Sequence, residues 1–303
     1  MAGTRMLLPI ASNCADLMAL AETELTQPQR PAVQGGVRLR YESTDNSTSL
    51  IDQWVRPPLH IAKTYHENSW AINLLTSPTA GLLQDDQLKV ECTVGKGAKA
   101  ALISPAACRV HTMAEGKAII QQHYRVSDDA VLEVWPAPLV LQSASKLKQI
   151  TKVEVEASGT LLLTEIISPG RTTYGESFEF DFWHSQLRIY RLGALLTYEN
   201  FQVHPRNNDV PDWRNWFPTG PYVSIYFLTP QSISNIIEPL NNLSSGEVAV
   251  GASPLREGGL GIKVLAQDGL ALRKSVLQIR ELLIDLSGIS FPSALKRAQT
   301  FFY

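Results

Sequence analysis

An alternation of apolar and polar residues over residues 36–191 limits the folds that this chain can adopt. Short runs rich in valine, isoleucine, threonine and aromatic residues recur there, and turn residues separate them at intervals of roughly 8 to 12 residues. Residues 37–41, 87–94 and 152–157 alternate most clearly. A period of two indicates β-strands with one buried face. Helical periodicity and a strand, helix, strand rhythm are both missing from this region, which favours stacked sheets or a β-helix-like coil of strands over a parallel α/β fold.

The pattern changes after about residue 210, where helical signals join the strands. Strands are predicted at residues 222–228, 248–253 and 260–265, and a short helix at residues 230–240. A longer amphipathic helix is predicted at residues 270–286, because apolar residues recur there at spacings of four and three: Leu272, Val276, Ile279, Leu283 and Leu286. Gly288 then supplies a stop signal.

These patterns divide the chain into three predicted regions. Residues 1–35 form an N-terminal arm, residues 36–210 a β-rich body, and residues 211–303 an α+β part that completes the same fold. The predicted fold class is therefore mainly β, with a β-helix-like or stacked-sheet body and a few helices.

The composition excludes several classes of protein. Hydrophobic residues make up 44% of the chain and charged residues only 18%, a balance that excludes a disordered chain. The formal net charge of -2 offers no long-range attraction to polyphosphate, so nucleic acid is not expected as a partner. No stretch approaches the roughly 20 apolar residues that a membrane span requires, so no membrane is expected as a partner either.

The cysteines favour a cytoplasmic location. Cys14, Cys92 and Cys108 are odd in number, widely spaced and not part of a CxxC sequence. Such a set suits a reducing compartment better than a disulfide framework.

Motifs of common enzymes are missing from the chain. It contains neither the GxxxxGKS/T nor the GxGxxG loop that cradles nucleotide phosphates, and we do not expect it to bind GTP. HExxH and GxSxG, the signatures of many zinc and serine hydrolases, are missing as well. A hydrolase of these common kinds is therefore not expected.

The best local candidate for a metal site is Cys108 with His111. Thiolate and imidazole suit soft and borderline divalent metals, nickel among them. The six histidines never form an HxH or HxxxH pair, so a site would need a ligand from a distant strand, for instance His123. The structural alternative stays open, in which Cys108 is a small core residue and the histidines line turns.

Three carboxylates occupy positions that demand a partner. Asp86 and Glu176 stand beside turns, and Glu133 lies inside the apolar run of residues 131–136. A carboxylate among valine, leucine and tryptophan must face a wet cavity, meet a cation or leave the core. Arg171 is spaced to pair with Glu176 across its turn, and an ordinary salt bridge there is an open alternative.

Several segments keep the order and spacing of a known protein family. Residues 132–136, Leu-Glu-Val-Trp-Pro, and residues 170–176, Gly-Arg-Thr-Thr-Tyr-Gly-Glu, match an LE..P and a GR...GE motif. Residues 77–88, which place Asp86 on a motif aspartate, and residues 104–109 match two further motifs. Over residues 37–287 the chain thereby resembles the urease accessory protein family UreD, also called UreH.

Two departures from the family pattern concern candidate residues. Ala80 and residues 84–85 replace glycines of the motif that contains the aspartate, so this loop is less permissive of positive φ than the family's loop. Cys108 and His111 stand where the family usually has serine and tyrosine.

The resemblance implies a non-enzymatic maturation factor in the cytoplasm with a mostly β fold. Members of this family act as scaffolds with two further accessory proteins, UreF and the GTPase UreG, bind the urease apoprotein, and help to deliver nickel to its dinuclear centre. We therefore expect UreF-like and UreG-like proteins and the urease apoprotein as partners. No permanently bound cofactor is expected, and Ni²⁺ is expected only in transit.

The resemblance also implies roles for individual residues. A transit path needs weak, labile oxygen ligands, because a metal that binds strongly is not released. On this basis Asp86, Glu133 and Glu176 are predicted to line or gate a polar internal passage for hydrated Ni²⁺. Arg171 and Tyr174 are predicted to lie in the interface with the UreF-like partner.

Two other functions stay open from the sequence. In a β-helix carbohydrate-active enzyme, two or three carboxylates on adjacent strands would do acid/base work in an open groove. A nickel-independent interaction module would use the fold only as a binding surface. The exposure of the carboxylates distinguishes the enzyme from the scaffold. An enzyme would hold them together in an open groove, whereas a scaffold would hold them at separate internal positions.

Overall fold

Two stacked β-sheets build the body of the protein. The computed structural model describes residues 31–45, 47–207, 212–256 and 258–293, and eighteen strands and two α-helices lie within them. The predicted N-terminal arm, residues 1–35, falls outside the described residues as far as residue 30.

The strands are numbered from β1 to β18 in chain order. They are β1 (Gln34–Thr44), β2 (Ser47–Arg56), β3 (His60–Ile61), β4 (Tyr65–Glu67), β5 (Trp70–Thr76), β6 (Gln87–Val94), β7 (Lys99–Ile103), β8 (Cys108–Val110), β9 (Ala118–Val126), β10 (Val131–Trp135), β11 (Leu139–Leu141), β12 (Lys146–Val155), β13 (Thr160–Ser168), β14 (Phe182–Arg191), β15 (Ala194–Val203), β16 (Tyr222–Leu228), β17 (Val248–Leu255) and β18 (Gly259–Ala266). The helices are α1 (Ile237–Asn241) and α2 (Gly269–Ser287).

The long parallel strands of the body, β6, β7, β9, β10, β12 and β13, alternate between the two sheets. The seven-stranded sheet has the order β15-β14-β12-β9-β6-β1-β2, and the main path of the eleven-stranded sheet has the order β17-β18-β16-β13-β10-β7-β5-β3. β6, β9 and β12 pair in parallel in the first sheet, and β7, β10 and β13 pair in parallel in the second. Each coil of chain therefore gives one of these long parallel strands to each sheet, as in a β-helix, and the short strands β8 and β11 add to the eleven-stranded sheet. The predicted mainly β fold with a β-helix-like, stacked-sheet body is confirmed.

Tight turns carry the chain from one sheet to the other. They lie between paired coils at residues 95–98, 127–130 and 156–159. Asp128 Oδ1 accepts the backbone N–H and the hydroxyl of Ser158 at 3.1 and 3.0 Å, and Ser158 Oγ accepts the N–H of Asp129 at 2.9 Å. Asp129 has a φ of 58°, a left-handed conformation that aspartate tolerates better than most residues. The turn signals in the sequence thus mark where the chain changes sheet.

The two sheets differ in how many of their faces are covered. In β12 of the seven-stranded sheet, buried residues alternate with partly exposed ones, because only the inner face packs on the other sheet. In β13 of the eleven-stranded sheet, eight of nine residues are buried. Leu161 and Leu163 belong to the core between the sheets, whereas Leu162 belongs to a second core that includes Val276 and Ile279 of α2. Helix α2 therefore covers the outer face of the eleven-stranded sheet.

The bounds of α2 follow from its capping residues. The carboxylate of Asp268 accepts the N–H of Ala271 at 2.8 Å at the start of the helix, and Gly288 ends it with a φ of 68°. These caps confirm the helix predicted at residues 270–286 and its stop. Leu286 was predicted on the apolar face but is 38% exposed, because in the last turn the buried position is taken by Ser287 instead.

The C-terminal strands extend the eleven-stranded sheet. β16 pairs antiparallel with β13, β18 with β16, and β17 with β18, so the three strands predicted there are confirmed. Helix α1 is shorter than the helix predicted at residues 230–240, because a 3-10 turn (Ser234–Ile236) precedes it. The division of the chain at residue 210 stays a prediction. None of the described helices is long and apolar enough to cross a membrane.

A buried ion pair joins α2 to the eleven-stranded sheet. Arg280 Nε and Nη2 donate to the two oxygens of Glu133 at 2.6 and 3.0 Å, and Trp135 Nε1 donates to Glu133 at 2.8 Å. Arg280 also donates to the carbonyl of Pro292 at 3.2 Å. The side chains of Glu133 and Arg280 are 0% and 3% exposed. The sequence left three alternatives for Glu133, namely a wet cavity, a cation or a position outside the core. The structure shows that it pairs with a cation, the guanidinium of Arg280.

Removal of one partner from this pair should destabilise the fold, because the other charge would stay buried without compensation. We expect Arg280→Met to lower the free energy of unfolding by about 3–5 kcal/mol in urea denaturation. The double variant Glu133→Gln with Arg280→Met should recover part of the loss, since it leaves no uncompensated charge. An Arg280→Met protein as stable as the unmodified chain would contradict this assignment.

Candidate functional site

Polar side chains from both sheets meet in the otherwise apolar space between them. Gln122 of β9 and Gln149 and Thr151 of β12 reach this space from the seven-stranded sheet, and Glu165 of β13 faces them from the other sheet. Glu165 is two residues from Leu163 on β13, so both side chains lie on the same face of the strand. Leu163 belongs to the core between the sheets. The exposures of the four polar residues range from 2% to 8%. We call these four residues the polar layer.

Glu165 is the centre of the polar layer. Its Oε1 accepts hydrogen bonds from Thr151 Oγ1 at 2.7 Å, Gln149 Nε2 at 2.8 Å and Gln122 Nε2 at 3.0 Å. Tyr124 donates its hydroxyl to Gln122 Oε1 at 2.9 Å and so orients that amide. Burial raises the pKa of Glu165 above the ordinary value for glutamate, although the hydrogen bond from Thr151 and the charge of Lys263 oppose this effect.

A cavity of about 180 Å³ lies against the polar layer. Its lining includes the buried side chains of Gln122, Gln149 and Glu165. The same lining includes Thr79 and Ala107, which are exposed at the surface. The cavity therefore leads from surface loops to the centre of the polar layer.

Two loops, residues 77–81 and 104–108, contribute the outer lining of this cavity. The first loop is held close to β8, because the N–H of Leu82 donates to the carbonyl of Arg109 at 2.8 Å. A Cβ atom on Gly81 would lie 2.2 Å from that carbonyl oxygen, and Gly81 has a φ of 135°. Only glycine meets both requirements, so the cavity mouth depends on this residue.

A second, much smaller cavity lies on the other side of the polar layer. Its volume of about 10 Å³ is close to the space that one water molecule needs. Gln149 and Glu165 are the described residues that line both cavities, so these two side chains form the partition between them. Glu199, Ser224 and Tyr226 contribute to the far side of the second cavity.

One buried oxygen at this partition has no hydrogen-bond donor among the described residues, namely Gln149 Oε1. Beside it, the three donors of the polar layer all bind Glu165 Oε1 rather than Oε2. Buried polar atoms in proteins nearly always have a partner, so the partition is suited to hold a water molecule or a cation.

Lys263 of β18 lies beyond the second cavity. Its ammonium donates to Glu199 Oε2 at 2.6 Å, to the Tyr226 hydroxyl at 2.8 Å and to Ser224 Oγ at 2.9 Å. Ser224 is the register partner of both Glu165 on β13 and Lys263 on β18. Lys263 therefore lies in the same row across the eleven-stranded sheet as Glu165 of the polar layer. Burial lowers the pKa of Lys263, and the neighbouring Glu199 carboxylate opposes that change.

The three carboxylates predicted to line a passage lie at separate places. Glu133 faces α2 on the outer side of the eleven-stranded sheet. Asp86 precedes β6, and Glu176 lies in the loop between β13 and β14. None of the three is among the described residues that line the two cavities. The structure therefore does not bring them together, and their role in transit stays a prediction.

Asp86 holds backbone together at the start of the body. It is 3% exposed; its Oδ1 accepts the N–H of Val33 and its Oδ2 accepts the N–H of Leu83, both at 2.9 Å. The preceding Asp85 has a φ of 62°. The loop thus keeps a positive φ at a position where the resemblance expects glycine, with a residue type that tolerates this conformation.

Arg171 and Glu176 form the salt bridge that their spacing predicts. Arg171 Nε donates to Glu176 Oε2 at 2.8 Å, and Arg171 Nη2 contacts Glu176 Oε1. Arg171 also lies over the ring of Tyr174 at 5.5 Å, and Tyr174 is 80% exposed. The hydrogen bond from Arg171 lowers the pKa of Glu176. The predicted interface residues therefore share one exposed loop.

Cys108 and His111 lie near the cavity mouth but do not form a metal cluster with a third ligand. Cys108 lines the larger cavity, and burial raises the pKa of its thiol to about 11, which disfavours the thiolate that binds metals. His111 Nε2 lies 2.9 Å from the carbonyl oxygen of Ala80. His123 pairs instead with Glu154 at 2.6 Å. Within the described ranges, no group of three or more His, Cys, Asp or Glu side chains is placed to hold a metal ion.

Glu165 and Lys263 are not among the site residues predicted from the sequence. Both lie inside apolar runs, residues 161–167 and 260–265, which is the signal that selected Glu133. A charged residue in an apolar run needs a partner or a wet cavity wherever it occurs, so both residues carry a signal that is visible in the sequence. The two glutamines carried no comparable signal, because an uncharged polar residue in an alternating strand also suits an exposed face.

Comparison with known proteins finds one family. A family model described as UreD urease accessory protein matches residues 33–297. A protein of Opitutus terrae named urease accessory protein UreD is 30% identical over 244 residues, which are 78% of this chain and 89% of that protein. A protein of Acetivibrio thermocellus with the same name is 26% identical over 81% of this chain and 95% of its own length. Urease accessory protein UreH of Helicobacter hepaticus is 30% identical over 56% of this chain and 68% of its own length.

The raised pKa of Glu165 should make stability depend on pH. An acid with a higher pKa in the folded state binds more protons when folded, so the free energy of unfolding falls as pH rises from about 4.5, the unfolded value, through the folded pKa. A glutamine at this position cannot ionise, so Glu165→Gln should not show this fall in the free energy of unfolding. As pH rises through the folded pKa, the variant should therefore become more stable relative to the unmodified protein, by about 1.4 kcal/mol per unit of difference between the folded and unfolded pKa. Urea denaturation of both proteins across a pH series measures this gain. A stability difference that does not change with pH would contradict the prediction.

Proposed function

The chain belongs to the UreD family of urease accessory proteins, and from this premise we propose that it is a non-catalytic scaffold that delivers nickel during urease maturation. Its proposed partners are the urease apoprotein and UreF-like and UreG-like accessory proteins, and its proposed location is the cytoplasm. Ni²⁺ is the cargo of the complex and passes through the protein without becoming a resident cofactor.

The observation that carries this proposal is the cavity that leads from surface loops to Gln149 and Glu165. Gln149 Oε1 has no hydrogen-bond donor among the described residues, and the three donors of the polar layer bind Glu165 Oε1 rather than Oε2. These two side chains therefore offer one amide and one carboxylate oxygen to a cation that enters the cavity. Oxygen ligands suit a divalent cation that must also leave, because thiolate and imidazole cages hold transition metals more tightly. The polar layer is therefore a candidate transient binding site for hydrated Ni²⁺.

The position of the cavity mouth supports the same proposal. The loops at residues 77–81 and 104–108 contribute the outer lining, and they lie within two of the segments that resemble family motifs. A family motif at the mouth of a cavity is expected when the cavity itself serves the family's function.

The carbohydrate-active alternative receives less support from the geometry. Such an enzyme places two carboxyl groups on either side of a bond in an open groove. Glu165 instead lies between the sheets with an exposure of 8%, and Glu199 is paired with Lys263. We therefore retain the scaffold as the proposed function.

Glu165→Gln tests the proposed passage. The substitution keeps the size and the hydrogen bonds of the side chain but removes the charge that attracts a cation. In cells that express urease, the other accessory proteins and this variant, we expect bound nickel per urease and urease activity to fall by about tenfold, which corresponds to the loss of one modest charge interaction. Recovery of the accessory complex by pull-down should be unchanged.

Glu156→Gln is the matched control for this experiment. It makes the same chemical change on an exposed residue in the turn after β12, and we expect normal nickel loading. Normal loading in the Glu165→Gln cells as well would refute the passage, and loss of the whole complex would show that Glu165 acts on folding.

Charge reversal at Arg171 tests the proposed partner surface. Tyr174 is exposed and Arg171 lies over its ring, and this pairing of an aromatic residue with arginine is typical of interface anchors. We expect Arg171→Glu to reduce recovery of the UreF-like partner by at least about tenfold in a pull-down. Arg125→Glu is the matched control, because Arg125 is another exposed arginine paired with a glutamate, at 3.1 Å from Glu154. Unchanged recovery with Arg171→Glu would remove this loop from the interface.

A further inference from the structure

The Lys263 side chain connects the two sheets beside the β15 edge of the seven-stranded sheet. It extends from β18 of the eleven-stranded sheet, and Glu199 belongs to β15, the edge strand of the seven-stranded sheet. The ion pair between them, at 2.6 Å, therefore spans the space between the sheets. The two side chains are 32% and 23% exposed, so this end of the interior lies close to solvent.

The ammonium of Lys263 has the surroundings of a bound cation. Its three hydrogen-bond partners are the Glu199 carboxylate, the Ser224 hydroxyl and the Tyr226 hydroxyl. The rings of Phe201, Tyr222 and Tyr226 lie 5.8, 5.8 and 4.8 Å from the nitrogen, within the range in which an aromatic face attracts a positive charge. One carboxylate, two hydroxyl oxygens and three aromatic rings thus enclose a single positive charge.

This enclosure lies at the far end of the cavities. Glu199, Ser224 and Tyr226 line the small cavity whose other wall is Gln149 and Glu165. A cation that passed the polar layer would therefore reach Glu199 next, and it would meet the ammonium of Lys263 there. Two positive charges a few ångströms apart in a partly buried site repel each other strongly, because the local dielectric constant is lower than that of water.

We propose that the Lys263 ammonium occupies a divalent-cation site formed by Glu199 and Glu165. In this position the lysine closes the far end of the passage. Lys263 and an arriving Ni²⁺ compete for the Glu199 carboxylate. The far end of the passage therefore opens only when the ion displaces Lys263. This inference rests on the proposed function, because it assigns an exit to the same passage.

The buried unpaired oxygen of Gln149 supports a cation site at this place. Gln149 is 3% exposed and its Oε1 has no donor among the described residues, and it lines the small cavity together with Glu165 and Glu199. Without Lys263, the cavity would present two carboxylates, this amide oxygen and the hydroxyls of Ser224 and Tyr226. Such an all-oxygen set suits a hard or borderline divalent cation.

Lys263→Met tests the proposal in the purified full chain, with Ni²⁺ alone as the probe. Methionine removes the charge while it keeps an unbranched side chain of similar length. By isothermal titration calorimetry we expect Lys263→Met to bind one Ni²⁺ at least about tenfold more tightly than the unmodified protein, since the competing charge is gone. Lys263→Arg keeps the positive charge and should bind Ni²⁺ as the unmodified protein does. Equal affinity of the unmodified and Lys263→Met proteins would overturn the proposal.

A second variant locates the gained site. Adding Glu199→Gln to Lys263→Met should return the affinity to that of the unmodified protein. A gain that survives Glu199→Gln would place the ion elsewhere and would also overturn the proposal.

A labelling experiment on the unmodified protein covers the case in which Lys263→Met does not fold. Pulsed acetylation followed by mass spectrometry reports how accessible each lysine amine is. We expect acetylation of Lys263 to rise severalfold when Ni²⁺ displaces it, while exposed Lys117 reacts equally with and without the metal. Unchanged acetylation of Lys263 over the full range of Ni²⁺ concentrations would refute the displacement.

These results can be separated from those of the urease experiment. Tighter Ni²⁺ binding by Lys263→Met together with normal urease loading by Glu165→Gln would support the lysine-blocked site and refute the passage as the route to urease. The reverse pair of results would support the passage and refute Lys263 as its closure.

Discussion

The pairing register of the strands is the constraint on which the interior of this protein depends. Because successive coils pair in parallel, equivalent positions form rows across each sheet, and Gln122 lies beside Thr151 in one such row. In the other sheet, Glu165, Ser224 and Lys263 are register neighbours on β13, β16 and β18. A slip of one residue in any of these strands would turn its polar side chain away from the space between the sheets. The strands, more than the loops, therefore position the polar layer.

Two buried glutamates in similar apolar runs have different surroundings. Both oxygens of Glu133 bind Arg280, and Trp135 adds a further donor, so this carboxylate is fully occupied and attaches α2 to the sheet. Glu165 receives three neutral donors from the described residues, and all three bind the same oxygen. Neutral donors stabilise a buried charge less than a bidentate arginine does. The first carboxylate is therefore structural, and the second keeps an oxygen that can bind a ligand.

Much of the fold was predictable because strand alternation and helix capping are local properties. The strands around residues 87–94 and 222–228 and the helix α2 between Asp268 and Gly288 follow from their own residues. The need of Glu133 for a partner was predictable as well, but its partner Arg280 was not, since the two lie in different elements far apart in the chain. The polar layer was missed for the same reason, because its members come from β9 and β12 of one sheet and β13 of the other.

By itself, the sequence determined the mainly β class, the places where the chain turns, the extent of α2 and the membership of a family. Periodicity, turn residues and motifs act over a few neighbouring residues, so they can be read along the chain. Only the tertiary structure decided that Glu133 faces a helix while Glu165 faces a cavity, although both lie in buried strands with apolar neighbours. The physical reason is that the partner of a buried charge is set by which strands stack and in what register, and those contacts join residues that the chain keeps far apart.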